Sequence, residues 1–255
     1  MRGAGQRGFL LHRDAAEGIH QIEDAHANWY LVQEGTRLTV VDTGLPRSWG
    51  SLHRALNELG RSPADIEAVV LTHGHFDHMG FARRARRELG VPLWAHEREL
   101  GVVAHPWRYD HEQAPRPVPT PPGVRADLHR DDAYGAIWVK GTEDVSTYAT
   151  GQRLDVPGRP EVVFTPGHTY GHCALNLPDR GVVLAGDAFV MLDPYTGRTG
   201  PCVVAGAATA DSAEALSSLD ALAALDAAVT LTGHGPPWRG SLAEAAQRAR
   251  AAGAA

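Results

Sequence analysis

The sequence predicts an α/β fold, because short apolar runs with the length and β-branching of buried strands alternate with segments of helical periodicity. The predicted strands cover residues 29–33, 38–41, 68–71, 91–95, 161–164, 172–177, 182–185 and 228–231. The predicted helices cover residues 49–59, 78–89, 96–103, 211–225 and 241–252. This order gives two blocks of strands, each closed by helices.

Turn and capping residues set several boundaries. The polar, Gly-containing residues 34–37 predict a hairpin connection between two strands. Ser48 is expected to cap the first helix, and Asp211 or Ser212 to cap the fourth. Gly90 is expected to end the second helix.

Length and composition fit one domain. The chain has 255 residues, of which 43% are hydrophobic, so it can bury a substantial core. Cys173 and Cys202 are too few for a disulfide framework, which is compatible with a reducing compartment. We find no apolar run that suits a signal peptide or a membrane span, so a cytoplasmic protein without membrane association is expected.

The charge balance argues against a nucleic-acid partner. The formal net charge is −6, whereas nucleic-acid binding needs a basic face or stripe. Residues 83–87 form one basic cluster on a predicted helix. The cluster could be a solvated helical face or an anion-binding edge.

Residues 104–150 have a different character from the rest of the chain. They include a Pro-rich run at residues 115–122, which favours an extended loop. Several aromatic residues accompany it and could line a substrate pocket or cover a satellite core. They include Trp107, Tyr109, Tyr134 and Trp138.

The densest group of polar residues follows the predicted strand 68–71. His73, His75, Asp77 and His78 lie within six residues at the C-terminal end of that strand, where open α/β folds bind ligands. Side chains two apart on an extended segment point to the same side, so His73 and His75 can reach one metal ion. Asp77 and His78, just past the turn, can reach another. The spacing therefore predicts a two-metal site.

This run resembles the His-x-His-x-Asp-His signature of the metallo-β-lactamase fold superfamily. Four further residues resemble the family's other motifs, each after a predicted strand: Asp42, His168, Asp187 and His234. The resemblance implies a four-layer αββα sandwich spanning nearly the whole chain as a single domain over residues 1–255. In that fold the segment 104–150 is an insert of the kind that often walls the substrate pocket.

The resemblance also implies a ligand assignment. His73, His75 and His168 would bind metal one, Asp77, His78 and His234 would bind metal two, and Asp187 would bridge them. Asp42 would support a ligand histidine through a hydrogen bond that fixes its ring orientation. The nitrogen-rich donors suit two Zn²⁺ ions, although iron and manganese accept the same ligands.

Such a site predicts hydrolysis of a small acyl substrate. Two ions roughly 3.5–4 Å apart lower the pKa of a shared water toward ~7, and the resulting hydroxide can attack a carbonyl carbon. Asp77 is the candidate for relaying a proton. The expected substrate is a thioester, ester or lactone.

The branch of the family is less defined. A bridging Asp187 resembles the hydroxyacylglutathione hydrolases and lactonases rather than β-lactamases, so β-lactam hydrolysis is the less favoured alternative. However, no basic extension follows His234, and Val190 stands where acyl-homoserine lactonases have a tyrosine that Tyr195 could replace. A persulfide dioxygenase with one iron is the main alternative. The oligomeric state is left open, a homodimer included.

Overall fold

The computed structural model describes residues 9–113 and 135–254. Within them, seven strands form the first sheet in the order of the chain. They are β1 (Leu10–Ala16), β2 (Ile19–Asp24), β3 (Ala27–Glu34), β4 (Arg37–Val41), β5 (Ile66–Val70), β6 (Leu93–His96) and β7 (Ser146–Tyr148). The first four strands are antiparallel, and β4 to β7 are parallel.

Five strands form the second sheet. They are β8 (Glu161–Phe164), β9 (Cys173–Leu177), β10 (Val182–Gly186), β13 (Val229–Thr232) and β14 (Trp238–Arg239). Their order is β14-β13-β10-β9-β8, and β10 and β13 are parallel. A separate ribbon pairs β11 (Val190–Leu192) with β12 (Thr199–Cys202).

Helices cover the outer faces of the two sheets. They are α1 (Ser48–Glu58), α2 (Ala82–Leu89), α3 (Leu100–Ala104), α4 (Ser212–Ala223) and α5 (Leu242–Ala252). The apolar faces of α1 and α2 pack in one core with the first sheet, and those of α4 and α5 pack in another with the second sheet. A third core, including Val70 and Leu184, lies between the sheets. The layers are therefore αββα, which confirms the expected fold.

Most predicted elements are present, and the connection at residues 34–37 is the hairpin between β3 and β4. Asp211 caps α4 by accepting a hydrogen bond from the Glu214 amide at 2.8 Å. Gly90 ends α2 in the left-handed conformation, with φ of 72°. These boundaries confirm the capping predictions.

Two boundaries were predicted wrongly. Ser48 is the first residue of α1 rather than its cap, and its hydroxyl instead accepts a hydrogen bond from the Leu45 amide. The helix expected from residue 78 begins at Ala82, because the His78 carbonyl accepts a hydrogen bond from the Thr43 amide instead of from the Ala82 amide. The helix expected at residues 96–103 is present as a 3₁₀ turn, Glu97–Glu99, that continues directly into α3.

Part of the insert falls outside the described residues, including the Pro-rich run and Tyr134. Across the described ranges, none of the helices combines the length and the apolar character that crossing a bilayer would require.

Candidate metal centre

The predicted ligands all follow strands at one edge of the sandwich. His73, His75, Asp77 and His78 come after β5, and Asp187 directly follows β10. His168 follows β8 and His234 follows β13. Because β10 and β13 are parallel, their carboxyl ends place Asp187 and His234 side by side.

The seven side chains converge into three overlapping groups. Within each group the potential ligand atoms lie within 4.8 Å of one another. The groups are His73, His75 and His168; His73, His78 and Asp187; and Asp77, His78 and His234. The first and third groups match the two ligand sets expected from the resemblance.

Asp187 lies between the two sets. Its Oδ2 is 3.4 Å from His168 Nε2, 3.3 Å from His234 Nε2 and 3.6 Å from His78 Nε2. Among the described residues, Asp77 pairs with imidazoles of the second set alone, with its Oδ2 3.4 Å from His234 Nε2. One carboxylate therefore reaches both groups of imidazoles.

Buried polar atoms without hydrogen bonds point to a cation at this position. His73 Nε2, His75 Nε2, His168 Nε2 and Asp187 Oδ1 are buried and have no hydrogen-bond partner among the described residues. Leaving such an atom unpaired costs about 1–3 kcal/mol. Imidazole nitrogens and carboxylate oxygens are also the donors that divalent transition metals prefer. The residues therefore fit a metal centre.

Hydrogen bonds from outside the cluster orient the rings. His234 Nδ1 donates to the His26 carbonyl at 2.7 Å, so Nε2 is the ring nitrogen that faces the cluster. His168 Nδ1 lies 3.3 Å from Thr209 Oγ1, and that hydroxyl donates its own proton to Val204 O. His168 must therefore donate from Nδ1 and present Nε2 as an acceptor.

Asp42 supports the segment that holds four of these residues. It accepts hydrogen bonds from both the amide and the hydroxyl of Thr72 at 2.8 Å, and its Oδ2 lies 3.3 Å from His78 Nδ1. Asp42 has φ of 57°, a left-handed conformation that Asp adopts more readily than most residues. The structure thus places Asp42 against His78, one of the predicted ligands.

The pKa values divide these histidines into two groups, one with lowered and one with raised values. Burial lowers the pKa of His75 to about 4 and the pKa values of His73 and His168 well below the usual range. Burial also opposes protonation of His78, but Asp187 and Asp77 outweigh it and raise the His78 pKa to about 9. The first ligand set therefore carries neutral imidazoles at pH 7, the form that binds metals.

The pKa values of both carboxylates are lowered. Burial would raise the pKa of Asp187, but His234 and His78 more than offset it and hold that pKa well below the usual range. Burial likewise opposes ionisation of Asp77, and His78 and His234 lower its pKa despite this. Both residues are therefore anionic at neutral pH.

The structure reveals a buried carboxylate that sequence reasoning missed. Glu99 is only 1% exposed. Its Oε2 accepts a hydrogen bond from the Gly74 amide at 2.7 Å, and its Oε1 accepts one from the Gly171 amide at 2.9 Å. Glu99 thereby ties the loop that carries His73 and His75 to the loop that carries His168. Nothing in the sequence distinguishes it from its charged neighbours.

His172 was also missed. Its Nε2 accepts a hydrogen bond from the Asp187 amide at 2.9 Å, and its Nδ1 lies 2.8 Å from Thr165 Oγ1. Burial lowers the His172 pKa to about 3, which keeps the ring neutral and able to accept this bond. Its spacing of four residues from His168 was a visible signal, but the segment was assigned to a strand.

Glu99→Gln is expected to weaken metal binding at the first ligand set about 10- to 100-fold, as loss of an outer hydrogen bond to a ligand loop typically does. A glutamine can accept from one of the two amides but presents an NH₂ group to the other. Metal content measured against buffered free metal checks this, with retained thermal stability showing that the fold is intact. Exposed Glu97→Gln is the matched control. Unchanged affinity in Glu99→Gln would contradict the positioning role.

Without metal, stability is expected to be greatest near pH 6.5–7 and to fall on both sides. Depressed folded-state pKa values, such as about 4 for His75 and about 3 for His172, contribute stability above pH 6.5 that is lost as the pH falls. The raised His78 pKa of about 9 contributes stability below pH 6.5 that is lost as the pH rises toward 9. Urea titrations of chelated protein from pH 4 to 9 measure this, and a flat profile would refute it.

A pocket opens onto the candidate metal centre. Its wall includes ligands from both sets, Asp187, and two of the aromatic residues considered above, Tyr109 and Tyr195. Tyr109 packs on the His75 ring, with ring centroids 4.5 Å apart. Phe76 also lines the pocket, and Trp107, which does not line it, stacks on Phe76 with ring planes 13° apart.

Trp138 lies elsewhere, so its expected place in this pocket is wrong. It is 70% exposed and lines a different cavity beside α2, together with Arg83 and Lys140. The reason is that the 3₁₀ turn Ala136–Trp138 packs near Pro46, on the helical face of the first sheet. Tyr134 lies outside the described residues.

The chain combines an αββα sandwich with a His and Asp cluster at one edge that could bind metal. The model of the metallo-beta-lactamase superfamily matches residues 22–234, so the chain belongs to that superfamily. The probable metallo-hydrolase YflN of Bacillus subtilis (strain 168) is 30% identical over 187 residues, which are 71% of this chain and 67% of YflN. Metallo-beta-lactamase domain-containing protein 1 of Xenopus laevis is 30% identical over 161 residues, 61% of this chain and 52% of that protein.

Solved structures of metallo-beta-lactamase proteins resemble this chain in fold. A metallo-beta-lactamase family protein from Thermus thermophilus, TTHA1429, has 27% sequence identity and a TM-score of 0.64, covering 91% of this chain and 78% of its own. A metallo-beta-lactamase from Cronobacter sakazakii has a TM-score of 0.65 at 19% identity, covering 92% and 90% of the two chains. The second likeness shows the fold alone.

Proposed function

We propose that this protein is a dinuclear metal-dependent hydrolase that cleaves a thioester, ester or lactone bond in a small acyl substrate. The observation that carries the proposal is the position of Asp187. Its carboxylate lies within 3.6 Å of imidazole nitrogens from both ligand sets, as a bridging ligand must. The 30% identity to a probable metallo-hydrolase supports the reaction class.

Two Zn²⁺ ions are the proposed cofactor. His73, His75 and His168 would hold one ion, Asp77, His78 and His234 the other, and Asp187 would contact both. Bound ions of this kind supply a water of lowered pKa and an electrophile for a carbonyl oxygen. No serine or cysteine nucleophile is then required, and buried Cys173 and Cys202 are free for packing roles.

Asp77 is the proposed proton carrier. It lines the pocket, its side chain is 19% exposed, and its lowered pKa keeps it ionised at neutral pH. An ionised carboxylate at this position can accept a proton from the attacking water and pass it to the leaving group.

Two tyrosines are proposed to bind the polar end of the substrate. Burial raises the pKa of Tyr109, so its hydroxyl remains a donor at neutral pH. Tyr195 lines the same pocket and can donate to a leaving oxygen or sulfur. Phe76, Val204 and Ala208 supply apolar wall for a short acyl group.

We propose a cytoplasmic location for this activity, a compartment in which a chain with two buried cysteines that form no disulfide with each other is at home.

Metal quantification combined with a substrate screen tests the proposal. We expect about two zinc ions per chain and turnover of thioester or lactone substrates that a chelator abolishes and zinc restores. β-Lactams should be turned over poorly by comparison. One iron per chain together with oxygen consumption on a persulfide substrate would overturn the proposal in favour of a dioxygenase.

A further inference from the structure

A second cavity, which we call the α2 cleft, lies beside α2 on the helical face of the first sheet. Its volume is about 250 Å³, and none of the seven metal-centre residues lines it. Four cationic side chains do: Arg83, Arg84 and Arg87 from α2, and Lys140 from the segment after the insert. The basic cluster noted in the sequence is therefore not simply a solvated helical face.

The charge in the α2 cleft is only partly balanced within the protein. Glu88 pairs with Arg84 at 3.0 Å and with Arg87 at 2.7 Å. Arg83 and Lys140 form no ion pair with any carboxylate in residues 9–113 and 135–254. Cations gathered around one cavity in a chain of net charge −6 repel one another, and an anion would relieve that repulsion.

The floor of the α2 cleft is rigid. Phe81 is buried and packs edge-on against Trp29 and Trp49, with ring centroids 5.4 and 5.7 Å apart. The Gly80 amide donates to Gly44 O at 2.7 Å. Arg84 lies over the Trp49 ring, 4.8 Å from its centroid, which fixes the direction of this guanidinium. A ligand would thus meet a floor and one cation already in place.

The remaining wall is aromatic. Trp138 lines the α2 cleft and is 70% exposed, so a large flat apolar surface stands next to the cations. Guanidinium groups match the oxygen geometry of phosphate and can bind it through two parallel hydrogen bonds. We propose that the α2 cleft binds a phosphorylated small molecule whose planar or apolar body packs on Trp138. The volume limits that body to about one ring, since drug-sized ligands occupy about 300–1,000 Å³.

Arg86 provides an internal control. It belongs to the same helix and carries the same charge, but it points away from the α2 cleft and pairs with Asp144 at 3.0 Å. A general electrostatic attraction would depend on Arg86 as much as on Arg83. Specific binding in the α2 cleft would depend on Arg83 and Lys140 and not on Arg86.

Calorimetric titration of the metal-loaded protein with phenyl phosphate and with inorganic phosphate tests the proposal. Arg83→Ala and Lys140→Ala should each weaken phenyl phosphate binding about tenfold, the scale of a lost charge-assisted hydrogen bond, while Arg86→Ala changes it less than about twofold. Trp138→Ala should weaken phenyl phosphate binding but leave inorganic phosphate binding unchanged. Hydrolysis at the metal centre should be unchanged in all four variants, so the outcome is independent of the proposed function.

Three results would overturn the proposal. One is an absence of phenyl phosphate binding at millimolar concentration, and another is an equal effect of Arg86→Ala and Arg83→Ala. The third is co-sedimentation with phosphatidylglycerol vesicles without binding of the soluble phosphate, which would make the exposed Ile137 and Trp138 a membrane contact instead.

Discussion

Asp187→Ala is expected to lower kcat/KM for the acyl substrate by about 10³-fold or more and to leave at most one metal ion per chain. Loss of a hydrogen-bond partner outside the ligand set lowers metal affinity or activity about 10–100-fold. Loss of one electrostatic contact to the reacting atoms lowers kcat about 10²–10³-fold. Because Asp187 serves both ligand sets, its loss should lower activity by at least the larger factor. Asp187 is only 3% exposed, so water cannot readily replace its oxygens. Metal analysis and steady-state kinetics on the same preparation measure the effect.

The variant Asp187→Asn distinguishes the effect of the carboxylate charge from the effect of the side-chain shape. The amide keeps the volume and the backbone bond to His172 Nε2 but offers one neutral oxygen, so we expect partial metal loading with strongly reduced turnover. Asp179→Ala is the matched control, because that carboxylate is 79% exposed and pairs only with Arg153 among the described residues. Full activity and full metal content in Asp187→Ala would eliminate the bridging role.

The residues of the metal centre could be predicted from the sequence because its signals are local. Four of them lie within six residues after one strand, and each of the others follows a strand of its own. A strand end fixes where a side chain emerges, and the resemblance to the family's motifs assigned the remaining residues to the same site. The structure brings together all seven residues proposed as ligands.

What could not be predicted depends on contacts between distant segments. Glu99 acts through Gly74 and Gly171, which are 25 and 72 residues away in sequence. The small strands β7 and β14 form through pairing with a neighbour rather than through their own apolar pattern. Trp138 was a candidate for the substrate pocket because of its place in the insert, but its position depends on how the chain returns to the first sheet beside Pro46.

Glycine positions illustrate the same limit. A Cβ at Gly233 would lie 1.9 Å from Asp187 Oδ1, so the turn into His234 can approach the carboxylate only without a side chain. The sequence shows this glycine as part of a turn. Only the packed structure shows that it makes room for Asp187.

Removal of bound metal is expected to lower the melting temperature by about 8–16 °C. A ligand at 1,000 times its Kd stabilises the folded state by about 4 kcal/mol, and each kcal/mol shifts the melting temperature by about 2–4 °C for a domain of about this size. The structure supplies the physical source of this dependence. Without a cation, buried nitrogens of His73, His75 and His168 and the Oδ1 of Asp187 have no partner within the described residues.

Scanning fluorimetry before and after chelation measures this change, with metal content determined for each sample. Zn²⁺ should restore the melting temperature and Mg²⁺ should not, because five of the seven side chains are imidazoles and Mg²⁺ prefers oxygen ligands. His73→Ala should melt at a lower temperature and respond less to chelation, since His73 belongs to two of the three ligand groups. A stripped wild-type protein that melts at the same temperature as the loaded one would mean that these side chains do not share a cation, and the hydrolase proposal would fail with it.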